Sequence, residues 1–411
     1  MADLAGRARI AARRLARATA AEKAAALRAA ANRLRGATEA VLAANAADVA
    51  AAEAAGRPAA FIDRLSLTAE RIAGFADGLD KVAELPDPVG RELARWTQPN
   101  GLDIARVATP IGVIGVVFEA RPGVAADAAG LCVMAGNAVI LRAGSDSRLS
   151  AAAITTAVRA GLEDAGLPAD AAQIVETADR AAVGAMLRAD GLIDVIVPRG
   201  GRSLVERIRA EARVPVFSHL DGVNHIFVHA DADPAIVDAV IVNAKLRRPG
   251  ICGAVECLLF DRAAEDRARS AVAALLDAGC AVRGDAAVQA FDARVAPAQD
   301  ADWGHEFLDA VVAARMVDGF DDALAHIARY GSGHTEAILT RDDAAAERFL
   351  MDVDAAIVMR DASTQFADGG EFGMGAEIGI ATGRLHARGP VGAAQLTTFK
   401  YVVRGAGQTR P

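Results

Sequence analysis

Lysine is scarce in this chain of 411 residues: four are present, so nearly all of its 45 basic residues are arginine. Acidic residues number 53, and the formal net charge is −8. Because nucleic-acid-binding domains are usually basic, this balance argues against a nucleic-acid partner. Hydrophobic residues make up 53% of the chain, which excludes a mainly disordered protein. At about 150 residues per domain, the length predicts two or three domains.

The chain also has few cysteines and no long apolar run. The four cysteines are Cys132, Cys252, Cys257 and Cys280. They contain no CxxC pair and are too few for a disulfide framework, which fits a reducing, cytoplasmic location. The longest apolar run, around 111–118, is far shorter than a membrane-spanning helix, so no membrane association is expected. Residues 7–20 are Arg-rich and lack acids, as transit peptides do, but we favour an amphipathic first helix.

Hydrophobic periodicity predicts an α/β protein. Residues 2–56 have helical spacing and predict two long helices, and 61–84 predict more helix. From residue 112 onward, short apolar runs alternate with helical stretches of 10–15 residues, which is typical of βαβ units and a parallel sheet. The predicted strands include 137–141, 192–197 and 254–260, with a closing strand at 396–403.

Four segments carry residue types that favour chemistry. Cys252 lies in a Gly-flanked turn before an apolar strand, where a thiol can act as a nucleophile. The alternative is a purely structural cysteine that packs as a small, buried hydrophobic residue. The other three cysteines fit that alternative. Gly200 and Gly201 lie in a PRGGRS turn that precedes a helix; such a turn can receive a phosphate or be a plain tight turn.

The remaining two segments combine glycine with polar groups. HLDGVNHIF (219–227) is a polar cluster without the ligand spacing of a closed zinc site, and loop capping is its alternative explanation. The stretches at 330–338 and 368–390 are Gly-rich and also contain Glu, His and Arg. They predict a loop whose backbone closely approaches a ligand or an interface.

Taken in order along the chain, these segments resemble the aldehyde dehydrogenase superfamily and, within it, the γ-glutamyl phosphate reductase branch. The segments that carry the resemblance are PIGVIGVVFEARPGV (110–124), AGNAVILRAGSDS (135–147), NAKLRRPGICGAVECLLF (243–260), DDALAHIARYGSGHTEAIL (321–339) and GGEFGMGAEIGIATGRLHARGPVG (369–392). The last two of these five resemble the reductase branch in particular. The resemblance implies an NADPH-dependent reduction of L-glutamyl 5-phosphate to L-glutamate 5-semialdehyde, a step of proline biosynthesis, through a thioester on a cysteine.

The resemblance also implies roles for particular residues. Cys252 matches the nucleophile, and Glu306 matches the Glu that holds the nicotinamide ribose. Arg142 and Ser145 match positions beside the adenine ribose; because NAD-preferring members often carry a Glu where Ser145 stands, NADPH is expected over NADH. Gly200 and Gly201 match the cofactor-side turn between a strand and a helix.

Two departures from the superfamily pattern concern the acyl group. His219 stands where hydrolytic members carry a general-base Glu, and a reductase that starts from an acyl phosphate has no use for water activation. Arg121 stands near the position of an oxyanion-donor Asn, and its planar fork suits phosphate. We therefore expect His219 and Arg121 to assist catalysis. Arg388 and Glu371 are candidates for the substrate's α-carboxylate and α-amino groups.

The fold implied is a doubly wound cofactor domain (1–98 and 112–219), a smaller α/β catalytic domain (220–394) and a β oligomerisation extension (99–111 and 395–411). A homo-oligomer and a cleft between the two domains follow as expectations. Because γ-glutamyl phosphate is labile, transient contact with a separate glutamate 5-kinase is a further hypothesis. A CoA-acylating or ordinary aldehyde dehydrogenase, and a non-catalytic scaffold with the same fold, are the competing interpretations.

Overall fold

The computed structural model describes residues 1–217 and 220–410, which form two compact units. The first unit contains Met1–Ser218, Gly373–Gly379 and Val391–Pro411, and the second contains His219–Phe372 and Ile380–Pro390. None of the described helices is both long enough and apolar enough to cross a membrane.

Helices dominate the amino-terminal part of the first unit. The helices of this unit are α1 (Ala2–Leu15), α2 (Ala20–Gly36), α3 (Thr38–Ala54), α4 (Ala59–Leu65), α5 (Ala69–Ala83), α6 (Val124–Met134), α7 (Arg148–Asp164), α8 (Ala181–Leu187) and α9 (Arg202–Glu211). Residues 2–56 therefore hold three helices, and the prediction of two was wrong. The break between α1 and α2 arises because Thr19 and Glu22 form a capping box at the start of α2, in which each side chain accepts a hydrogen bond from the other residue's backbone N–H.

A four-stranded parallel sheet lies at the centre of this unit. Its strands are β3 (Val113–Phe118), β4 (Ala138–Ala143), β5 (Ala172–Ile174) and β6 (Val195–Arg199). Their order is β5-β4-β3-β6, so the chain moves to opposite sides of β3 as it continues. Every residue of β3 and β4 is buried, as expected for parallel strands covered on both faces.

A separate antiparallel sheet joins the middle of the chain to its carboxyl-terminal part. Its strands are β1 (Glu92–Thr97), β2 (Asp103–Pro110) and β16 (Thr397–Arg404), in the order β1-β2-β16. In the register of β2 and β16, Arg106 faces Tyr401. The closing strand predicted at 396–403 is confirmed, whereas β1 was not predicted. Trp96, Phe399 and Tyr401 are exposed on this sheet, and Tyr401 packs edge-on against both other rings.

The second unit is built on a seven-stranded parallel sheet with the order β10-β9-β11-β8-β7-β12-β13. Its strands are β7 (Asn224–Val228), β8 (Val255–Asp261), β9 (Ala281–Gly284), β10 (Ala296–Pro297), β11 (Val311–Val317), β12 (Thr335–Leu339) and β13 (Ile357–Arg360), and a separate antiparallel pair is formed by β14 (Ile380–Ala381) and β15 (Gly389–Pro390). Its helices are α10 (Pro234–Leu246), α11 (Glu265–Asp277), α12 (Ala286–Gln289), α13 (Phe320–Tyr330) and α14 (Asp343–Asp352).

Side chains alternate between the two faces of this sheet, as the two-residue period of a strand requires. Ile226 and Val228 of β7 join one apolar cluster, which includes residues of α10 and α11. Phe227, between them, joins another cluster that includes Ile327 of α13 and Phe349 of α14. Both faces of the sheet are therefore buried beneath helices.

Candidate active site

Cys252 lies on the turn between α10 and β8 in the second unit. Its side chain is half-buried, whereas Cys132, Cys257 and Cys280 are buried. Burial raises the pKa of Cys132 well above its ordinary value and that of Cys280 to about 11, so both remain protonated thiols at neutral pH. The structure thus confirms the prediction that Cys132, Cys257 and Cys280 are buried.

A buried amide holds the backbone of the Cys252 turn. Asn224 Nδ2 donates to the carbonyl oxygens of Cys252 and Ala254 at 2.6 and 2.7 Å. Its Oδ1 accepts from the backbone N–H of Thr335 at 3.1 Å, so the side chain joins this turn to β12. Asn224 has no solvent exposure, and these three bonds satisfy its amide within the protein.

Gly222 is in direct backbone contact with the same turn. A Cβ at this position would collide with the backbone of Cys252, including its carbonyl oxygen. Glycine is therefore required because the two chain segments approach each other closely. Neither Asn224 nor Gly222 was singled out as functional from the sequence; the HLDGVNHIF segment was noted, but its contact with Cys252 is a tertiary feature.

Glu306 belongs to the same unit and lies on the loop that follows β10. Its Oε1 accepts from the backbone N–H of Gly222 at 2.9 Å. The structure thus brings Glu306 to the segment that contacts Cys252. The predicted role of Glu306 toward a nicotinamide ribose stays a prediction.

A buried ion pair supports the loop of Glu306. Lys245 Nζ donates to Glu256 Oε2 at 2.5 Å, and neither side chain is exposed. The other oxygen of Glu256 accepts from the backbone N–H of Leu308, two residues after Glu306, at 3.4 Å. Lys245 and Glu256 flank the Cys252 turn in the sequence, so this pair joins the turn to the Glu306 loop.

Four of the five residues expected to bind a cofactor lie at the carboxyl ends of the parallel strands in the first unit, and the fifth is Glu306. Arg142 is near the end of β4, buried, and its Nη2 donates to the carbonyl oxygen of Ala178 at 3.2 Å. Its Nε is buried without a hydrogen-bond partner among the described residues. Ser145 is exposed and begins a 3-10 turn, next to Asp146, which pairs with Arg57 at 3.2 Å. This edge is where open α/β sheets usually bind ligands.

The Gly200–Gly201 turn lies between β6 and α9 at the same edge. Gly201 precedes α9 and, as a glycine, has no side chain to cap this helix. Its backbone N–H donates to Glu119 Oε2 at 3.2 Å. A carboxylate thus stands at the turn for which the sequence left open a phosphate site or a plain tight turn. Glu119 was overlooked, although it lies within the FEARPG segment.

The other predicted residues are spread over the two units. Arg121 follows β3 in the first unit and is exposed. Arg388 Nη1 donates to Asp354 Oδ1 at 2.6 Å in the second unit, so it already has a carboxylate partner. Glu371 is exposed in the same unit. His219 lies outside the described residues.

Comparisons with known proteins assign these features to one family. Residues 2–290 match the aldehyde dehydrogenase family. A γ-glutamyl phosphate reductase from Methylobacterium radiotolerans is 61% identical over 413 residues, covering 100% of this chain and 96% of that protein. The crystal structure of a γ-glutamyl phosphate reductase from Thermotoga maritima has a TM-score of 0.96 at 40% identity, covering 100% of this chain and 99% of that one. An acetylating aldehyde dehydrogenase from Geobacillus thermoglucosidasius, 17% identical with a TM-score of 0.72, covers 100% of this chain and 97% of its own and shares the fold.

Proposed function

Because the chain belongs to the γ-glutamyl phosphate reductase branch of the aldehyde dehydrogenase family, we propose that it reduces L-glutamyl 5-phosphate to L-glutamate 5-semialdehyde and phosphate. This is the second step of proline biosynthesis from glutamate. The observation that carries the proposal is the half-buried thiol of Cys252, on a turn that Asn224 and Gly222 hold from the neighbouring segment.

Covalent catalysis accounts for the presence of this thiol. The sulfur of Cys252, as the thiolate, forms a bond to the γ-acyl carbon, and the phosphate leaves with the electron pair of the bond that breaks. The resulting thioester accepts hydride more readily than a carboxylate does, and the thiohemiacetal oxyanion formed by hydride addition then collapses to the aldehyde and the thiolate. Backbone N–H groups, including that of Cys252, stabilise the oxyanion. Arg121 neutralises the departing phosphate, and His219 assists.

The carboxyl edge of the first unit's sheet fits a nicotinamide dinucleotide. Arg142 offers a buried N–H that lacks a partner among the described residues. A Cβ at residue 200 would collide with the carboxylate of Glu119, so Gly200 leaves that space open. Arg142, Ser145, Gly200 and Gly201 would hold the nucleotide part, and Glu306 would hold the nicotinamide ribose. Bound there, NADPH supplies the hydride. Ser145 tolerates a 2′-phosphate, since it places no carboxylate at that position.

The proposal also includes self-association of the chain and its location in the cell. Trp96, Phe399 and Tyr401 are 37%, 43% and 57% exposed on the sheet of β1, β2 and β16. Exposed aromatic clusters of this kind are typical of interfaces, so this sheet is the proposed contact between copies of the chain. The enzyme acts in the cytoplasm, and transient contact with a separate glutamate 5-kinase would protect the labile acyl phosphate.

Phosphate dependence of the reverse reaction tests the proposed function. Glutamate 5-semialdehyde and NADP⁺ are mixed with the purified chain, and NADPH formation is followed with and without inorganic phosphate. Strict dependence on phosphate supports the reductase. Turnover that needs coenzyme A or water instead would assign a CoA-acylating or ordinary aldehyde dehydrogenase, and absence of turnover with every acceptor would favour a non-catalytic scaffold.

A further inference from the structure

A second set of nucleophilic side chains lies inside the second unit. His225 of β7, Cys257 of β8 and His326 of α13 are all buried, and their ligand atoms lie within 4.8 Å of one another. His225 and Cys257 are neighbours in the register of the two strands, and α13 covers that face of the sheet. The proposed reaction uses none of these three residues.

One distance within this His225–Cys257–His326 cluster equals the separation of two ligands on a tetrahedral metal ion. Cys257 Sγ and His326 Nε2 are 3.6 Å apart. Zinc binds sulfur at about 2.3 Å and nitrogen at about 2.0–2.1 Å, and at tetrahedral angles those two ligands are about 3.6 Å from each other. One thiolate with two imidazoles is also a donor set that favours zinc over calcium or magnesium.

Glu336 gives His225 the orientation of a metal ligand. Its Oε2 lies 2.9 Å from His225 Nδ1 and also accepts the backbone N–H of His225 at 2.8 Å. Nδ1 therefore carries a proton toward the carboxylate, and Nε2 faces the cluster. Nε2 is buried and has no hydrogen-bond partner among the described residues. A carboxylate behind a histidine is the usual outer partner of a ligating imidazole.

Arg315 opposes metal binding at His326. Its Nη1 lies 3.0 Å from His326 Nδ1, and because arginine can only donate, the proton of a neutral His326 must then be on Nε2. Ligation through Nε2 requires this proton to move to Nδ1 and Arg315 to turn away. Arg315 is partly exposed and has Asp322 as another partner at 3.6 Å, so its side chain can turn away from His326 toward the surface.

We infer that Cys257 Sγ, His225 Nε2 and His326 Nε2 bind a zinc ion within the second unit, with Glu336 as the outer partner of His225. On binding, the Cys257 thiol releases its proton, while His225 keeps its proton on Nδ1 and the proton of His326 moves from Nε2 to Nδ1. The metal ties α13 to β7 and β8, next to Asn224 in β7. The expected role is to stabilise the unit, since the cluster is buried away from solvent, and the inference is independent of the proposed reaction.

Cobalt(II), which absorbs visibly when bound to thiolate, is the probe. The full-length chain carries Cys252→Ser, so that the reactive thiol does not compete, and is first treated with a chelator. We expect one equivalent of Co²⁺ to give a thiolate-to-metal absorption band that one equivalent of Zn²⁺ abolishes, together with a rise in the unfolding temperature. His326→Gln and Cys257→Ser should remove both effects, while Cys132→Ser, a buried thiol in α6 of the first unit, should leave them unchanged.

Two further variants keep the inference open to refutation even if a ligand variant fails to fold. Glu336→Gln should weaken the affinity about 10–100-fold, as loss of an outer partner does. Arg315→Met, a change at a partly exposed residue, should strengthen it by about tenfold, since a hydrogen bond to a charged group no longer holds His326. Absence of the band in the Cys252→Ser protein, or binding that none of these substitutions alters, would overturn the inference.

Discussion

The substitution Asn224→Ala tests how the Cys252 turn is held. It removes two donors and one acceptor from a fully buried site, which leaves the carbonyls of Cys252 and Ala254 and the N–H of Thr335 without this partner. At ~1 kcal/mol per hydrogen bond, we expect a loss of about 3 kcal/mol in the free energy of unfolding. If about half of that free energy is also lost from the stabilisation of the transition state at Cys252, kcat falls about tenfold.

Asn45 provides a matched control in the first unit. It is also buried, its Nδ2 donates to Leu65 O at 2.9 Å and to Ser150 Oγ at 3.0 Å, and its Oδ1 accepts from Leu67 N at 2.7 Å. Asn45→Ala should therefore cost a similar ~3 kcal/mol of stability. It should leave the chemistry of Cys252 unaffected, because these three hydrogen bonds are made within the first unit.

Three readouts separate positioning from stability: the free energy of unfolding, kcat with KM, and the rate at which iodoacetamide alkylates Cys252 in the native protein. The other three cysteines are buried, so the native alkylation rate reports on Cys252. We expect Asn224→Ala to change the alkylation rate and to lower kcat, and Asn45→Ala to change neither. Equal effects of the two variants on kcat, or an unchanged alkylation rate in Asn224→Ala, would refute the positioning role.

Three other predictions concern the first unit. Glu119→Gln should lower the KM for NADPH, because it removes the carboxylate 3.2 Å from Gly201 N; a raised KM would instead show that Glu119 binds the cofactor. Ser145→Glu should lower kcat/KM for NADPH relative to NADH at least tenfold, as a carboxylate repels the 2′-phosphate, and an unchanged ratio would contradict that role. The pKa of Glu22 is lowered from 4.5 to about 2 by its hydrogen bonds with the Thr19 backbone, Arg14 and the Thr19 side chain. Its contribution to stability is therefore complete above pH 4.5 and lost as the pH falls toward 2. The difference in unfolding free energy between wild type and Glu22→Gln should narrow over that range, and a constant difference would exclude this origin.

The sequence patterns predicted the elements whose signals are local. The helical stretches expected between the apolar runs include α10, where Asp233 caps the helix and Pro234 begins it. β4 and β8 lie within two residues of their predicted positions because each is a buried apolar run. The strand β9 was missed, since Ala281–Gly284 is four residues long with alternating burial, too short a pattern to distinguish from a loop.

The site was predictable in part, for a similar reason. Cys252, Gly200 and Gly201 stand in turns that glycine marks in the sequence. Asn224 and Glu119 act through residues 28 and 82 positions away, and a single sequence contains no local sign of such contacts. His225, Cys257 and His326 come together because β7 and β8 are adjacent and α13 covers them, a consequence of strand order that ligand spacing does not reveal.

The most direct test of the central claim compares wild type, Cys252→Ala and Cys132→Ala in the reverse reaction with glutamate 5-semialdehyde, NADP⁺ and inorganic phosphate. We predict phosphate-dependent NADPH formation by the wild type and by Cys132→Ala, and none by Cys252→Ala, because covalent catalysis has no other thiol with access to solvent among the described cysteines. Turnover by Cys252→Ala beyond a trace would contradict the thioester mechanism and the assignment of the active site.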